Sequence, residues 1–163
     1  MEKKNTTKRD TCVLLHDIRS AHNVGAMFRT ADAIGVSHIF LSGFTPTPRD
    51  RFQRPVKEIA KTALGAELTI PWEYLKDPME IITKLKTEGF VVVGIEQDKR
   101  AVDYKTYAPS EKTLLLVGSE VEGLSEELRE KCDVLLEIPM RGEKESLNVS
   151  VAFGVALFHL FDR

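Results

Sequence analysis

One arginine stands among small and apolar neighbours in the segment NVGAMFRTADAIG, residues 23–35. The apolar residues have helical spacing and form one stripe, consisting of Val24, Met27, Phe28, Ala31 and Ile34. Arg29 points almost directly away from this stripe, and Gly25, Ala26 and Ala33 flank it. These small neighbours leave room for a planar or anionic group to approach, and a guanidinium can hold two phosphate oxygens, so the far face fits a ligand or partner surface. The alternative is an ordinary solvated arginine.

A second candidate site is the turn in LLLVGSEVEGLSEEL, where Gly118 and Gly123 lie between an apolar strand and a helix. Ligand sites in parallel α/β proteins lie at the carboxyl ends of strands. Glu120 and Glu122 would repel a pyrophosphate in this turn, so a neutral or cationic ligand suits it better.

Three polar side chains near predicted helix starts each fit two roles. Asn23 precedes Gly25, and Ser146 and Asn148 follow the loop EIPMRGEKE. Each side chain can cap its helix or present an amide or hydroxyl group to a ligand. For Asn23 capping is the commoner role, whereas for Ser146 and Asn148 the two roles are evenly balanced.

Other common catalytic motifs are absent from the sequence. It contains no dinucleotide or P-loop fingerprint, no G-x-S-x-G elbow, no H-E-x-x-H spacing and no C-x-x-C pair, and it indicates no metal site. Cys12 and Cys132 lie far apart in apolar stretches and are expected to be buried thiols without chemistry. His16, beside Asp17, and His22 fit polar contacts at a strand end better than catalysis.

The elements that must position these residues follow from continuous apolar runs. Five runs are rich in β-branched residues and predict strands buried on both faces, at 11–15, 38–43, 90–96, 113–119 and 134–140. Helical patterns fall between most of them. A helix is predicted to begin at Pro55, another at Asp77-Pro78, and a third after the cap Ser125. The fold class is therefore α/β, with a mainly parallel sheet flanked by helices.

The last predicted helix, SLNVSVAFGVALFHLFDR, runs from about Ser146 to the end of the sequence and is apolar nearly all round. Such a helix must be covered on two sides. A second subunit would cover the outer side, which predicts a homodimer. Complete burial within one chain is the competing explanation.

Composition excludes several classes of protein. With 163 residues, 42% hydrophobic and 29% charged, the chain fits one soluble domain over residues 1–163. It has no apolar run of membrane-spanning length and no secretory signal, so we expect a cytoplasmic protein without membrane contact. A net charge of −2 excludes a globally basic nucleic-acid binder. Two segments are locally positive: the expected flexible tail 1–10, and the stretch that carries Arg49, Arg51, Arg54 and Lys57 around Phe52.

Three segments, in this order and at these separations, resemble the signature motifs of the SpoU (TrmH-like) RNA ribose 2′-O-methyltransferases of the SPOUT class. They are Asn23-x-Gly25-x-x-x-Arg29, Gly118-x-Glu120-x-x-Gly123, and Ile138-Pro139-Met140 followed by Ser146-Leu147-Asn148-Val149-Ser150. The segment KTALGAE at 61–67 is also similar to the family. The likeness runs from about residue 11 to the end.

The resemblance implies a fold that the residues alone do not indicate, in which the C-terminal segment is tucked through a loop as a trefoil knot. It also implies S-adenosylmethionine, bound bent in the knot, and a dimer that completes each active site. The implied cofactor-binding residues are Val117, Gly118, Gly123, Ile138, Met140, Ser146 and Leu147. A cationic sulfonium agrees with the acidic turn.

The implied reaction is attack of a ribose 2′-hydroxyl of tRNA or rRNA on the sulfonium methyl. Arg29 matches the arginine that has been proposed as the family's base. Because a guanidinium hardly deprotonates, we favour Arg29 as a clamp on the phosphate beside the target ribose. Asn23, Glu120, Ser146 and Asn148 match the other functional positions.

RNA recognition is expected to involve Arg29 and the stretch with Arg49, Arg51, Arg54 and Lys57, with help from the basic N-terminus. The alternative function is a non-catalytic RNA-binding or ribosome-assembly factor of the same fold. The intact Asn23, Arg29, Ser146 and Asn148 argue against it. A dinucleotide-dependent oxidoreductase would fit the α/β pattern but not the acidic turn.

Overall fold

A parallel β-sheet forms the centre of the computed structural model, which describes residues 9–162. Its seven strands are β1 (Asp10–His16), β2 (His38–Ser42), β3 (Trp72–Leu75), β4 (Val91–Ile95), β5 (Val102–Asp103), β6 (Lys112–Val117) and β7 (Val134–Glu137). Their order across the sheet is β3-β2-β1-β6-β4-β7-β5, and every neighbouring pair is parallel. All carboxyl ends of the strands therefore lie along one edge.

Helices cover both faces of this sheet. They are α1 (Ala21–Ile34), α2 (Lys57–Ala63), α3 (Ala66–Thr69), α4 (Pro78–Thr87), α5 (Glu126–Lys131) and α6 (Val149–Phe161), with a 3₁₀ turn at Tyr104–Thr106. Apolar side chains of α1, α2 and α6 form one core cluster, and those of α4 and α5 form a second. The predicted α/β class is confirmed.

The five predicted strands correspond to β1, β2, β4, β6 and β7, and their central residues are buried. The sequence missed β3 and β5, which lie at the two edges of the sheet. An edge strand has one strand neighbour and tolerates exposed polar residues such as Glu73, and β5 contains only Val102 and Asp103. Neither strand therefore has a continuous apolar run. The trefoil knot stays a prediction.

Two helix starts were predicted correctly and two were wrong. Asp77 caps α4 through Met79 N, and Ser125 caps α5 through Leu128 N. The helix expected to begin at Pro55 begins at Lys57, because Pro55 pairs with Arg49 in an antiparallel bridge.

The last helix begins at Val149 rather than near Ser146, since Asn148 is its cap. Its buried residues are Phe153, Ala156, Leu157 and Leu160. Within residues 9–162 the opposite side of α6 stays open, because Val151, Val155 and Phe158 are exposed. Complete burial of this helix within the described chain is therefore not what the structure shows.

The expected basic tail lies mostly outside the described residues, which begin at residue 9. Two of its residues are placed in the fold. Asp10 opens β1 and accepts a hydrogen bond from Ser37 Oγ, and Arg9 Nη1 donates to the carbonyl of Leu160. In residues 9–162, no helix combines the length and the apolar character needed to cross a membrane.

Gly25 allows α1 and α2 to pack closely. A β-carbon at this position would lie 2.0 Å from Thr62 Oγ1 and 2.4 Å from the carbonyl oxygen of Ile59. The second contact is with backbone and cannot be relieved by a side-chain rotation. The position of α1 on the sheet thus depends on the absence of a side chain here.

We expect Gly25→Ala to lower the free energy of unfolding by about 1–3 kcal/mol, because overpacking forces α1 and α2 apart. Urea denaturation measures this change. Gly142→Ala is the matched control, since a β-carbon there meets no atom within 4 Å. Equal stability of the two variants would contradict the close packing.

Candidate active site

A cleft of about 300 Å³ opens at the carboxyl edge of the sheet, above the neighbouring strands β6, β4 and β7. Its walls come from residues 95–97, 117–123 and 137–140, from residues 145–147, and from the start of α6. All seven predicted cofactor-binding residues line it, namely Val117, Gly118, Gly123, Ile138, Met140, Ser146 and Leu147. The second and third predicted segments therefore meet in one cleft.

The lining of the cleft combines apolar and acidic groups. Its carboxylates are those of Glu96, Glu120, Glu122, Glu137 and Glu145. Among the described residues that line the cleft there is no lysine or arginine. This charge distribution favours a neutral or cationic ligand and opposes one with phosphates. The volume lies at the lower end of the range for small-molecule sites.

The two glycines of the second segment close a tight turn. A β-carbon on Gly118 would lie 2.5 Å from the carbonyl oxygen of Gly123, and Gly123 has a φ of +66°. The amide of Gly123 donates to the carbonyl of Ser119 at 2.9 Å. The glycines thus shape the turn, which carries Glu120 at the cleft.

Glu120 connects this turn to the start of α1. Its carboxylate accepts hydrogen bonds from the backbone amides of Arg19 (3.0 Å) and Ser20 (3.1 Å) and from Asn23 Nδ2 (3.2 Å). Partial burial of the carboxyl acts to raise its pKa, but these hydrogen bonds outweigh burial and hold the pKa below its usual range. Glu120 is therefore an anionic bridge between the first and second segments.

Asn23 and Asn148 bring the first and third segments together. Ser20 caps α1, which leaves the Asn23 side chain free to bind Glu120 instead of a helix end. Asn148 caps α6 through the amide of Ser150, and its Nδ2 lies 3.5 Å from Asn23 Oδ1, at the outer limit for a hydrogen bond. Ser146 caps no helix and is exposed at the cleft.

Arg29 lies outside the cleft of its own chain. It is exposed on the outer face of α1, and its side chain makes no hydrogen bond or ion pair with the part of the chain described. Val24, Met27, Phe28 and Ala31 of the predicted stripe are buried and Ile34 is half-buried, so the outward direction of Arg29 is confirmed. The explanation for its small neighbours was wrong at Gly25, which is buried against α2 and leaves no room for a ligand.

The loop after β4 forms a wall of the cleft that the sequence reasoning missed. Glu96 accepts hydrogen bonds from Leu124 N (2.7 Å) and Gln97 N (3.0 Å), and Gln97 Nε2 donates to the carbonyl of Glu145 (2.6 Å). These contacts tie β4 to the second and third segments. The signal was present in the sequence, because Glu96 and Gln97 follow an apolar strand directly.

The basic stretch forms a short hairpin outside the cleft. Asp50 N donates to the carbonyl of Arg54, and the Asp50 carboxylate accepts from Arg54 Nε at 2.9 Å. The guanidinium carbons of Arg51 and Arg54 lie 4.7 Å and 4.9 Å from the centre of the Phe52 ring. Arg49 Nη1 donates to the carbonyl of Gln53. Lys57, the first residue of α2, is exposed beside the hairpin.

The remaining candidates make structural contacts. His16 Nδ1 lies 2.8 Å from Ser42 Oγ and Nε2 lies 3.1 Å from Asp17, as expected for polar contacts at a strand end. Burial lowers the pKa of His16 despite the Asp17 carboxylate. Burial also raises the pKa of the thiols of Cys12 and Cys132 to about 12, so neither is a ready nucleophile.

The parallel sheet and its acidic cleft define an α/β protein with a small-molecule site at the carboxyl ends of the strands. A family model described as the SpoU rRNA Methylase family matches residues 10–158. The chain belongs to this family, as the three segments predicted.

Three known proteins that are similar to this chain are longer than it. A TrmH family protein of Staphylococcus haemolyticus is 33% identical over 151 residues, which cover 93% of this chain and 58% of that protein. The crystal structure of an AdoMet-bound rRNA methyltransferase from Sinorhizobium meliloti is 34% identical with a TM-score of 0.82, over 92% of this chain and 55% of that one.

The SpoU methyltransferase AviRb from Streptomyces viridochromogenes, in complex with AdoMet, is 26% identical with a TM-score of 0.82. The match covers 93% of this chain and 59% of AviRb. The chain thus spans less than two thirds of the length of these three relatives.

We expect the contribution of Glu120 to stability to be lost in acid. Its pKa in the folded chain lies below the usual value of 4.5, so the contribution is complete above pH 4.5 and disappears as the pH falls through the folded-state pKa. Wild type should exceed Glu120→Gln in free energy of unfolding at pH 7, and the difference should shrink below pH 4.5. Urea denaturation across this range measures it.

Glu130→Gln is the control, because Glu130 is exposed on α5 and makes no hydrogen bond within residues 9–162. If the difference in free energy of unfolding between wild type and Glu120→Gln stays constant down to the acid limit of folding, the anionic bridge is refuted.

Proposed function

We propose that this chain transfers a methyl group from S-adenosylmethionine to a ribose 2′-hydroxyl of structured RNA, tRNA or rRNA. The observation that carries the proposal is the acidic cleft at which Asn23, Glu120 and Asn148 from the three signature segments are joined by hydrogen bonds. Membership of the SpoU rRNA Methylase family supports it. The two AdoMet complexes among the similar structures support the choice of cofactor.

The cleft fits S-adenosylmethionine in both charge and lining. When bound, S-adenosylmethionine would supply an electrophilic methyl group on a positively charged sulfur. The carboxylates around the cleft complement that charge. Val117, Ile138 and Leu147 supply apolar surface for an adenine ring, and Gly118 and Gly123 leave the two ends of the turn without side chains. Met140 and Ser146 complete the proposed cofactor contacts.

The polar residues at the cleft would position the ribose, because alignment of the hydroxyl with the methyl is the main requirement of this reaction. Glu120 holds Asn23 by its amide, and Asn23 in turn faces Asn148. Ser146, which also contributes to the proposed cofactor contacts, lines the cleft, and its hydroxyl group makes no hydrogen bond within residues 9–162. We assign these four residues to binding and orienting the target nucleotide.

Arg29 would bind the phosphate beside the target ribose. Its positive charge lowers the pKa of the hydroxyl, while water or another group accepts the proton, because the guanidinium itself stays charged. The hairpin with Arg49, Arg51 and Arg54, together with Lys57, offers further contacts for the RNA backbone.

Because Arg29 lies outside its own cleft, we propose that it serves the cleft of a second subunit in a homodimer. The open side of α6, with Val151, Val155 and Phe158, provides an apolar surface for such a partner. Leu147, at the cleft, is exposed near the start of the same helix. A dimer through this surface would bring α1 of one chain near the cleft of its partner.

Isothermal titration should detect S-adenosylmethionine binding to both wild type and Arg29→Ala, since Arg29 does not line the cleft. Methyl transfer to RNA by Arg29→Ala should fall by at least about a hundredfold, because the charge at the reacting hydroxyl is lost. Lys131→Ala is the control and should keep wild-type activity, because Lys131 is exposed at the end of α5. Retained activity in Arg29→Ala would refute its role, and absent cofactor binding in wild type would refute the function.

Mixing two inactive variants tests whether the site is shared. Arg29→Ala and Ser146→Ala should each be inactive alone, but their heterodimers contain one site with an intact arginine and an intact cleft. Random mixing should then restore about a quarter of wild-type activity. If both residues serve the same chain, mixing restores none, because each chain retains one defect. Co-purification of untagged Ser146→Ala with a tagged Arg29→Ala chain measures the subunit exchange.

A further inference from the structure

The turn after β2 carries an exposed aromatic ring that the proposed function does not yet use. Phe44 has 80% of its surface exposed, although the turn around it is firmly held. The amide of Phe44 donates to Asp17 Oδ1 (2.8 Å), and Tyr74 Oη donates to the carbonyl of Gly43 (2.8 Å). Thr45 Oγ1 donates to the carbonyl of Leu15 (2.9 Å). The backbone is therefore fixed while the ring projects into solvent.

Asp17, which follows β1 and contacts this turn, has an unfavourable backbone conformation. Asp17 has a φ of +54°, in the region that non-glycine residues rarely adopt, and Gly43 has a φ of +62°. A β-carbon on Gly43 would collide with Asp17 Oδ1, so the carboxylate occupies the space of a side chain. Residues held in such conformations by surrounding contacts concentrate at functional sites. The exposed ring of Phe44 gains no packing that would offset this strain.

A continuous series of hydrogen bonds joins this turn to the cleft. The amide of Ile18 donates to Thr45 Oγ1 (3.1 Å), and the next two amides, of Arg19 and Ser20, donate to Glu120. Phe44 and the cleft therefore lie at the same edge of the sheet, and residues 17–20 separate them.

The Arg19 side chain lies in this intervening segment. It is exposed and makes no hydrogen bond or ion pair within the described residues. Both oxygens of the nearby Asp17 carboxylate are already engaged, one by Phe44 N and the other by His16 Nε2. Glu120 is likewise satisfied by three donors. Arg19 is thus an available cation between an exposed ring and the acidic cleft.

We propose that Phe44 and Arg19 form a subsite for a nucleotide that flanks the methylated one. The base of this nucleotide stacks on the Phe44 ring, and its phosphate binds the Arg19 guanidinium. Stacking on exposed aromatic side chains is the common way in which proteins hold unpaired bases, and arginine suits phosphate oxygens. This inference rests on the proposed function and adds that the RNA near the target is single-stranded.

The test uses an RNA hairpin with 2-aminopurine in its loop, whose fluorescence is quenched when the base stacks. Wild type should bind it and quench the fluorescence. Phe44→Ala should lose the quenching and about tenfold in affinity, with the salt dependence of binding unchanged. Arg19→Gln should keep quenching at saturation, but the slope of log affinity against log salt should fall by about 0.7–0.9.

Two variants on the β7–β5 side of the sheet, away from β2, are matched controls. Val102→Ala removes an exposed apolar side chain, 44% accessible, from the edge strand β5. Lys131→Gln removes an exposed cation at the end of α5. Both should bind the hairpin as wild type does. Circular dichroism and S-adenosylmethionine affinity should be unchanged in all four variants, which excludes misfolding.

The outcomes separate this subsite from the proposed function. If wild type binds the cofactor and methylates RNA, but Phe44→Ala and Arg19→Gln behave like the controls, the subsite is refuted and the function stands. If Phe44→Ala quenches the fluorescence as wild type does, the subsite is also refuted. If wild type binds neither the hairpin nor S-adenosylmethionine, the proposed function is refuted together with the subsite.

Discussion

The carboxylate of Glu120 is the interaction on which the arrangement of the site depends. It accepts two consecutive backbone amides before α1 and the side chain of Asn23, and it belongs to the turn that forms one wall of the cleft. Without an acceptor at this point, three donors at the start of α1 would lack their partner. One ionised group thereby sets the distance between a helix and a loop that are a hundred residues apart in the sequence.

The fold was predictable where burial of a strand on both faces makes its sequence continuously apolar. Continuous apolar runs identified five strands, and the parallel arrangement placed the glycine turn and the third segment at one edge. The edge strands β3 and β5 were missed because partly exposed strands lack a continuous apolar run. Pro55 misled the helix assignment because a proline that fits a first helical turn also fits the end of a hairpin.

The candidate site was predictable mainly through the family resemblance. The resemblance named seven cofactor-binding residues, and all seven line the cleft. Glu96 and Gln97 also line the cleft but belong to none of the three motifs. For Arg29 the helical period gave the correct direction, but its small neighbour Gly25 serves helix packing. The sequence shows that residue 25 is small, but it does not show which neighbouring element leaves no space for a larger side chain. The proposed placement of Arg29 at the cleft of a second subunit would depend on assembly, which local sequence patterns do not encode.

Asn148 makes two side-chain contacts, and together they restrict which residue types can occupy this position. A helix start alone accepts Asp, Ser, Thr or Asn with similar stability. Here the side-chain oxygen serves Ser150 while the amide nitrogen of the same group faces Asn23 Oδ1. An aspartate would keep the first contact and set two oxygens against each other in the second, close to the charge of Glu120. Serine and threonine carry both functions on one short hydroxyl group, so among these interchangeable residues only asparagine places an acceptor and a donor on separate atoms.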